Sequence, residues 1–310
     1  MNKNKTKLWV GLGAFTLVGA GVAIEGGLDG ARADAARQDV PAVGAPLAGV
    51  ATPAASMPGV VQLASAGGEA GHGSHAGGEG GEGGEGGEGG EAGAATAAAT
   101  DPVAYIEMIQ YIRGHLDVGR ELYESNRAKD AMIHFVHPAE EIYEALEPAL
   151  KARGAAEFKA ELDELVELAE SGASAAEVGA AVETVMARLD AAVTAVPEAE
   201  RAKLDTGIEV AINLLKTAAE EYDVAIDDGQ LVNVAEYQDS LGFMRVAKAM
   251  IEERADALKT AAPGAYEKIQ AQFEALAPAW PSAVPPTKAP ADPADVRAAV
   301  SRIELATSNI

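Results

Sequence analysis

The chain has 310 residues, 48 acidic and 24 basic, for a formal charge of −24. Such a balance excludes nucleic acid and anionic lipid surfaces as partners, because both are polyanions held by basic patches, and it suits cationic ligands. With no cysteine, disulfides, thiolate metal sites and cysteine nucleophiles are excluded as well.

Residues 1–35 read as an export signal. Lys3, Lys5 and Lys7 precede a stretch from Leu8 to Ile24 that carries no charge, and Ala31-Arg32-Ala33-Asp34-Ala35 offers cleavage after Ala33 or after Ala35. The competing reading is an uncleaved anchor formed by residues 8–24, a length near the lower limit for a spanning helix. Glycine at 11, 13, 19 and 21 weakens it. Either way the rest of the chain is expected outside the cytoplasm, in the periplasm.

Residues 36–100 are dominated by Ala, Gly, Pro and Ser and include a Gly-Gly-Glu repeat from Gly77 to Gly90. Glycine at that density does not recover its ordering entropy, so a disordered tether is expected. His72 and His75 stand just before the repeat, where nothing pre-organises them as ligands.

From 101 to 310 the pattern is helical, and the expected fold is all-α: a helical bundle of antiparallel hairpins. Asp101-Pro102 is a cap with proline at the first helical position. Ile109, Ile112, Leu116, Gly119 and Tyr123 form an apolar stripe at helical spacing. A second segment, 128–150, is interrupted at Pro138, and further helices are expected over 155–171, 174–195, 198–228, 234–260, 263–277 and 292–307. The proline-rich stretch 278–293 reads as loop.

Three of the five histidines, His115, His134 and His137, fall within 23 residues. Imidazole is the commonest nitrogen ligand for transition metals, and carboxylates are suitable co-ligands. On an unbroken helix His134, His137, Glu141 and Glu144 share a stripe opposite the packing stripe of Phe135, Ala139, Ile142, Leu146 and Leu150, so the histidines need not be core residues. A turn near 125–128 would bring His115 toward His134. The candidate metal ligands are therefore His115, His134, His137 and Glu141, with Glu121 from Arg120-Glu121-Leu122-Tyr123-Glu124. That run fits the short Arg-Glu-x-x-Glu pattern of iron permeases and also reads as an exposed helical face. The competing reading starts a helix at Pro138, with His137 as its cap and Glu140 and Glu141 answering the helix dipole.

Residues 214–251 carry the most specific pattern. Ile208, Ile212, Leu215, Ala219, Tyr222 and Ile226 form one apolar seam, which Asp228-Gly229 terminates as a left-handed cap. Asn233 and Glu236 form a capping box for a second helix, whose seam is Tyr237, Leu241, Met244, Ile251 and Leu258. Glu220, Asp223 and Asp227, with Glu236 and Asp239 across the turn, make a second, acidic candidate site for a hard cation. The competing reading has Glu236 only as a cap and the others as a solvated face.

Glu221-Tyr222, Asp228-Gly229, Asn233, and Glu236-Tyr237-Gln238-Asp239 followed by Gly242-Phe243 resemble the soluble extracytoplasmic helical domain that precedes the membrane part of bacterial high-affinity iron permeases. After residue 24 there is no long apolar run, so the resemblance implies a stand-alone relative that acts beside a permease or another envelope protein. It implies iron as the metal, while copper, zinc and manganese also suit the donors. No nucleophile triad, phosphate loop, haem-attachment motif or His-Glu-x-x-His helix is present, so no enzyme activity is expected. The alternative is a docking module that needs no metal.

Overall fold

The computed structural model describes residues 96–308 and Ile310. The expected export signal and all of the expected tether but residues 96–100 lie outside the described residues; those last five are helical, not disordered. No helix among the described residues is long and apolar enough to cross a membrane.

A helical turn at 96–100 leads into α1 (Pro102–Glu124), whose cap, Asp101, accepts the Val103 N–H. After Ser125-Asn126-Arg127, with Asn126 at φ 61°, the chain reverses into α2 (Ala128–His137). Pro138 does not interrupt it. The helix widens into a π-turn (Pro138–Ile142) and resumes as α3 (Tyr143–Arg153). Pro138 has no N–H to offer the preceding turn, and the Tyr143 N–H reaches back five residues to the Pro138 carbonyl. His137 accordingly has helical dihedrals and makes no side-chain cap bond. The capping reading of His137 is thereby corrected.

α4 (Lys159–Glu170) and α5 (Ala175–Val193) form a hairpin whose second helix starts with a full Ser174/Glu177 capping box. The short α6 (Glu198–Arg201) precedes α7 (Leu204–Ala225), so the helix expected over 198–228 is divided. α7 ends in a miniature antiparallel ribbon, β1 (Ile226–Asp227) with β2 (Gln230–Leu231). Asp228 and Gly229 both have positive φ, 48° and 71°. They form the two-residue turn of this ribbon rather than a helix cap, a role for which Asp-Gly is well suited.

α8 (Val234–Glu253) follows, capped by Asn233 through the Glu236 N–H. The chain breaks at Arg254 before α9 (Ala255–Ala261) and α10 (Pro263–Leu276). After a 3-10 turn (Ala277–Ala279), the proline-rich loop leads to α11 (Pro293–Thr307), capped by Asp292.

α1 is the central helix. It packs on α2, α5, α7 and α8, while α7 also packs on α8 and α11. The proline-rich loop is tied to the α7–α8 hairpin by two tyrosines. Tyr222 Oη donates to the Ala291 carbonyl and accepts from the Ala291 N–H, and Tyr237 Oη donates to the Ser282 carbonyl. Their rings lie 6.2 Å apart in the core, which accounts for a tyrosine on either side of the acidic turn.

α1 and α8 cross at two glycines. A Cβ on Gly242 would stand 2.3 Å from the Gly114 carbonyl oxygen, and one on Gly114 would stand 2.6 Å from Phe243 Cδ1. Gly242→Ala should therefore destabilise the protein by about 1–3 kcal/mol through overpacking, despite alanine's better helix propensity. Gly264→Ala, where a Cβ would meet open space, should be neutral or stabilise by up to about 1 kcal/mol. Urea unfolding of both variants checks the contrast, and equal effects would contradict it.

Candidate metal centre

The glycine crossing sets two chemically active neighbours against each other, His115 beside Gly114 on α1 and Asp239 one turn before Gly242 on α8. Gly119 performs a similar service for α2, since a Cβ there would meet the Phe135 ring at 2.6 Å and His134 Cβ at 3.2 Å. His134 thus enters the same space from α2. His115 and His134 are fully buried, and Asp239 is 3% exposed. The expectation that the histidines lie off the packed side of their helix is corrected, because α2 is covered on one side by α1 and α8 and on another by α4.

Asp239 Oδ1 lies 2.7 Å from His115 Nδ1 and 2.8 Å from His134 Nδ1. The His134 contact is a hydrogen bond. The other His134 nitrogen, Nε2, lies 2.9 Å from Gln238 Oε1. The orientation of Gln238 is fixed because its Nε2 donates to the Ala283 carbonyl, so Oε1 must be the atom that faces the imidazole. His134 Nε2 therefore carries a proton. Facing an acceptor on each side, His134 is an imidazolium when the site holds no cation. Burial presses its pKa down, but Asp239, by charge and hydrogen bond, and the Gln238 carbonyl outweigh burial and leave it raised.

His115 is in the opposite condition. Its Nδ1 stands 2.7 Å from Asp239 Oδ1, which already serves His134, and its Nε2 is buried without a hydrogen-bond partner. Burial drives its pKa down to about 4 against the pull of Asp239. Burial would raise the Asp239 carboxyl, but the two flanking histidines hold it well below the usual carboxylate range. The economical charge state is one imidazolium, His134, one carboxylate, Asp239, and a neutral His115.

His137 stands beside this group, its ring centroid 4.8 Å from that of His115. Its Nε2 is 3.2 Å from Glu141 Oε2, a pair brought together at the π-turn. Glu121 lies elsewhere. Its carboxylate pairs with Arg245 at 2.6 Å, and Arg120 pairs with Glu124 and Glu183, so that run forms a surface ion-pair network.

The acidic site proposed across the α7–α8 turn is not assembled. Asp223 pairs with Arg297 at 2.7 Å, while Glu220 and Asp227 are exposed. Glu236 and Asp239 are buried, and Asp239 faces the histidines. The reason is rotational: Tyr237 and Leu241 occupy the α7-facing seam, and that leaves Asp239 directed at α1 and α2. Gln238 did not figure among the candidates. The signal for it was its position between Tyr237 and Asp239.

His115, His134 and Asp239 form a group whose ligating atoms all lie within 4.8 Å of one another. Two imidazoles and one carboxylate are a donor set suited to ferrous iron and related divalent ions. The fit is chemical as well as spatial. Gln238 holds the His134 proton on Nε2, which directs the Nδ1 lone pair inward once the second proton leaves, as outer-shell partners of metal-bound histidine do. A cation would also supply the partner that buried His115 lacks.

Residues 197–310 match the family model of the iron permease-associated 4-helix bundle domain. The resemblance read from residues 214–251 lies inside that match, and its four long helices are α7, α8, α10 and α11. The matched segment contributes Gln238 and Asp239 to the cluster, while the three histidines come from α1 and α2, which precede it. No curated protein and no solved structure matches the chain.

The charge state has a consequence for stability in the metal-free protein. Between pH about 6.5 and about 4 the unfolded chain protonates His115 and the folded one does not. Stability therefore falls as pH falls, by on the order of 3 kcal/mol for a shift of that size. For His134, with its raised pKa, stabilisation is full below the unfolded value and lost as pH rises through the folded one. Urea midpoints should consequently peak near pH 6.5, the unperturbed histidine value, and the acid limb should flatten in His115→Leu. An acid limb unchanged by that substitution would contradict the assignment.

Proposed function

We propose that this chain is a periplasmic metal-binding accessory protein for iron uptake, acting beside a membrane permease and without catalysis. The cation is cargo, ferrous iron in the first place, held by His115 and His134 with Asp239. His137 and Glu141 stand close enough to serve the same ion as it enters or leaves. The observation that carries the reading is the convergence of three buried donors from three helices, one of them an imidazole whose Nε2 has no hydrogen-bond partner. The match to the iron permease-associated bundle supports iron and a permease as the context.

A docking module that uses no metal is the second reading. The His134 imidazolium, bonded on both sides to Asp239 and Gln238, favours it, since such a pair satisfies itself as a structural element of the core.

Anaerobic calorimetric titration of the full chain with ferrous iron, and in parallel with zinc, manganese and copper, separates the two. The metal reading expects one tight site that releases protons on binding, because the imidazolium must give one up. His115→Ala and Asp239→Asn should weaken that site by at least the roughly 10–100-fold that outer-shell substitutions cost, and Gln238→Leu by about that factor itself. Tight binding that survives all three substitutions would place the metal elsewhere in the chain. Absence of tight binding would leave the docking module.

A further inference from the structure

A cleft of about 900 Å³ lies away from the histidines, between α1, α5 and the C-terminal end of α8. Five arginines line it, Arg113, Arg120, Arg201, Arg245 and Arg254, against four acids, in a chain that as a whole has two acids for every base. Three of the five are committed to carboxylates: Arg113 to Asp190, Arg120 to Glu124 and Glu183, and Arg245 to Asp117 and Glu121.

The other two are not. Arg201 pairs with no carboxylate among the described residues, and its Nε is buried without a partner. Arg254 gives Nη1 to the Met250 carbonyl, and its one acid, Glu253, stands 3.5 Å away and is largely exposed. Its guanidinium occupies the space beside Gly207, where a Cβ would be 1.8 Å from Nε. The absence of a side chain at 207 is thus what lets Arg254 fold down into the cleft.

We infer that this cleft binds a small organic polycarboxylate, with Arg201 and Arg254 as its anchors. A guanidinium offers a planar fork of donors that matches a carboxylate, and Arg201, lining the cleft with no carboxylate partner among the described residues, has that fork uncommitted. The size of the cleft and its apolar wall, from Ile106, Val193, Val246 and Met250, call for a ligand with a carbon skeleton rather than a bare inorganic anion. The site is distinct from the histidine cluster and stands whether or not that cluster binds metal.

The test is calorimetric titration of the metal-free full chain with tricarballylate, a tricarboxylate that chelates metals weakly, alongside inorganic phosphate. Saturable tricarballylate binding that weakens with added salt is expected. Arg201→Gln and Arg254→Gln should each lower the affinity about tenfold or more, as loss of a hydrogen bond to a charged group does, with unchanged melting temperature for Arg201→Gln. Gly207→Ala should act as Arg254→Gln does, by lifting that side chain away. No saturable binding, binding indifferent to Arg201→Gln, or phosphate bound as tightly as tricarballylate would each overturn the proposal.

Discussion

The close crossing of α1 and α8 is the constraint on which the rest depends. With Gly242 against the Gly114 carbonyl, the two helices approach more nearly than any pair of side-chain-bearing residues permits. Immediately around that point lie His115, Phe243 and Asp239. The Phe243 ring stands edge-on to His115 at 5.1 Å and to Tyr111 at 5.0 Å, closing the space on one side. α2 is admitted by Gly119 in the same way. At this crossing the contact between α1 and the family-matched segment is therefore made by backbone, and the polar cluster lies beside it.

Enclosing a carboxylate is costly unless its charge is answered and its oxygens are bonded. Asp239 is answered by one imidazolium and approached by a second imidazole that remains neutral. Two histidines for one carboxylate is more nitrogen than a structural ion pair needs. The excess resides in His115, fully buried, its Nδ1 sharing an Asp239 oxygen with His134 and its Nε2 without a hydrogen-bond partner. An apolar residue would fill that position at less cost, and the surplus donor is the feature on which the proposal of a binding site rests.

The sequence displayed the helical fold more fully than it displayed the site. The stripe from Ile109 to Tyr123 and the seam from Ile208 to Ile226 are buried as their spacing requires, because helical periodicity and burial are two views of one geometry. Errors arose where a residue had two uses. Pro138 reads as a break, yet a π-turn accommodates it. Asp228-Gly229 reads as a helix cap, yet both residues take positive φ in a ribbon turn. Asp239 was grouped with Glu236 and with the acids across the α7–α8 turn, because periodicity places a residue on a face but does not say which helix that face meets. Only the glycine crossing, a tertiary fact, directs Asp239 to histidines more than a hundred residues earlier.

The central claim is that His115, His134 and Asp239 together hold a divalent cation. X-ray absorption spectroscopy of the ferrous-loaded full chain, compared with His115→Ala loaded under the same conditions, addresses it most directly. The account predicts a first shell with two imidazole nitrogens and at least one carboxylate oxygen, at distances near 2.0–2.2 Å, and the loss of the two-imidazole signature in the variant. A shell of oxygen alone, or one unchanged by His115→Ala, would contradict it.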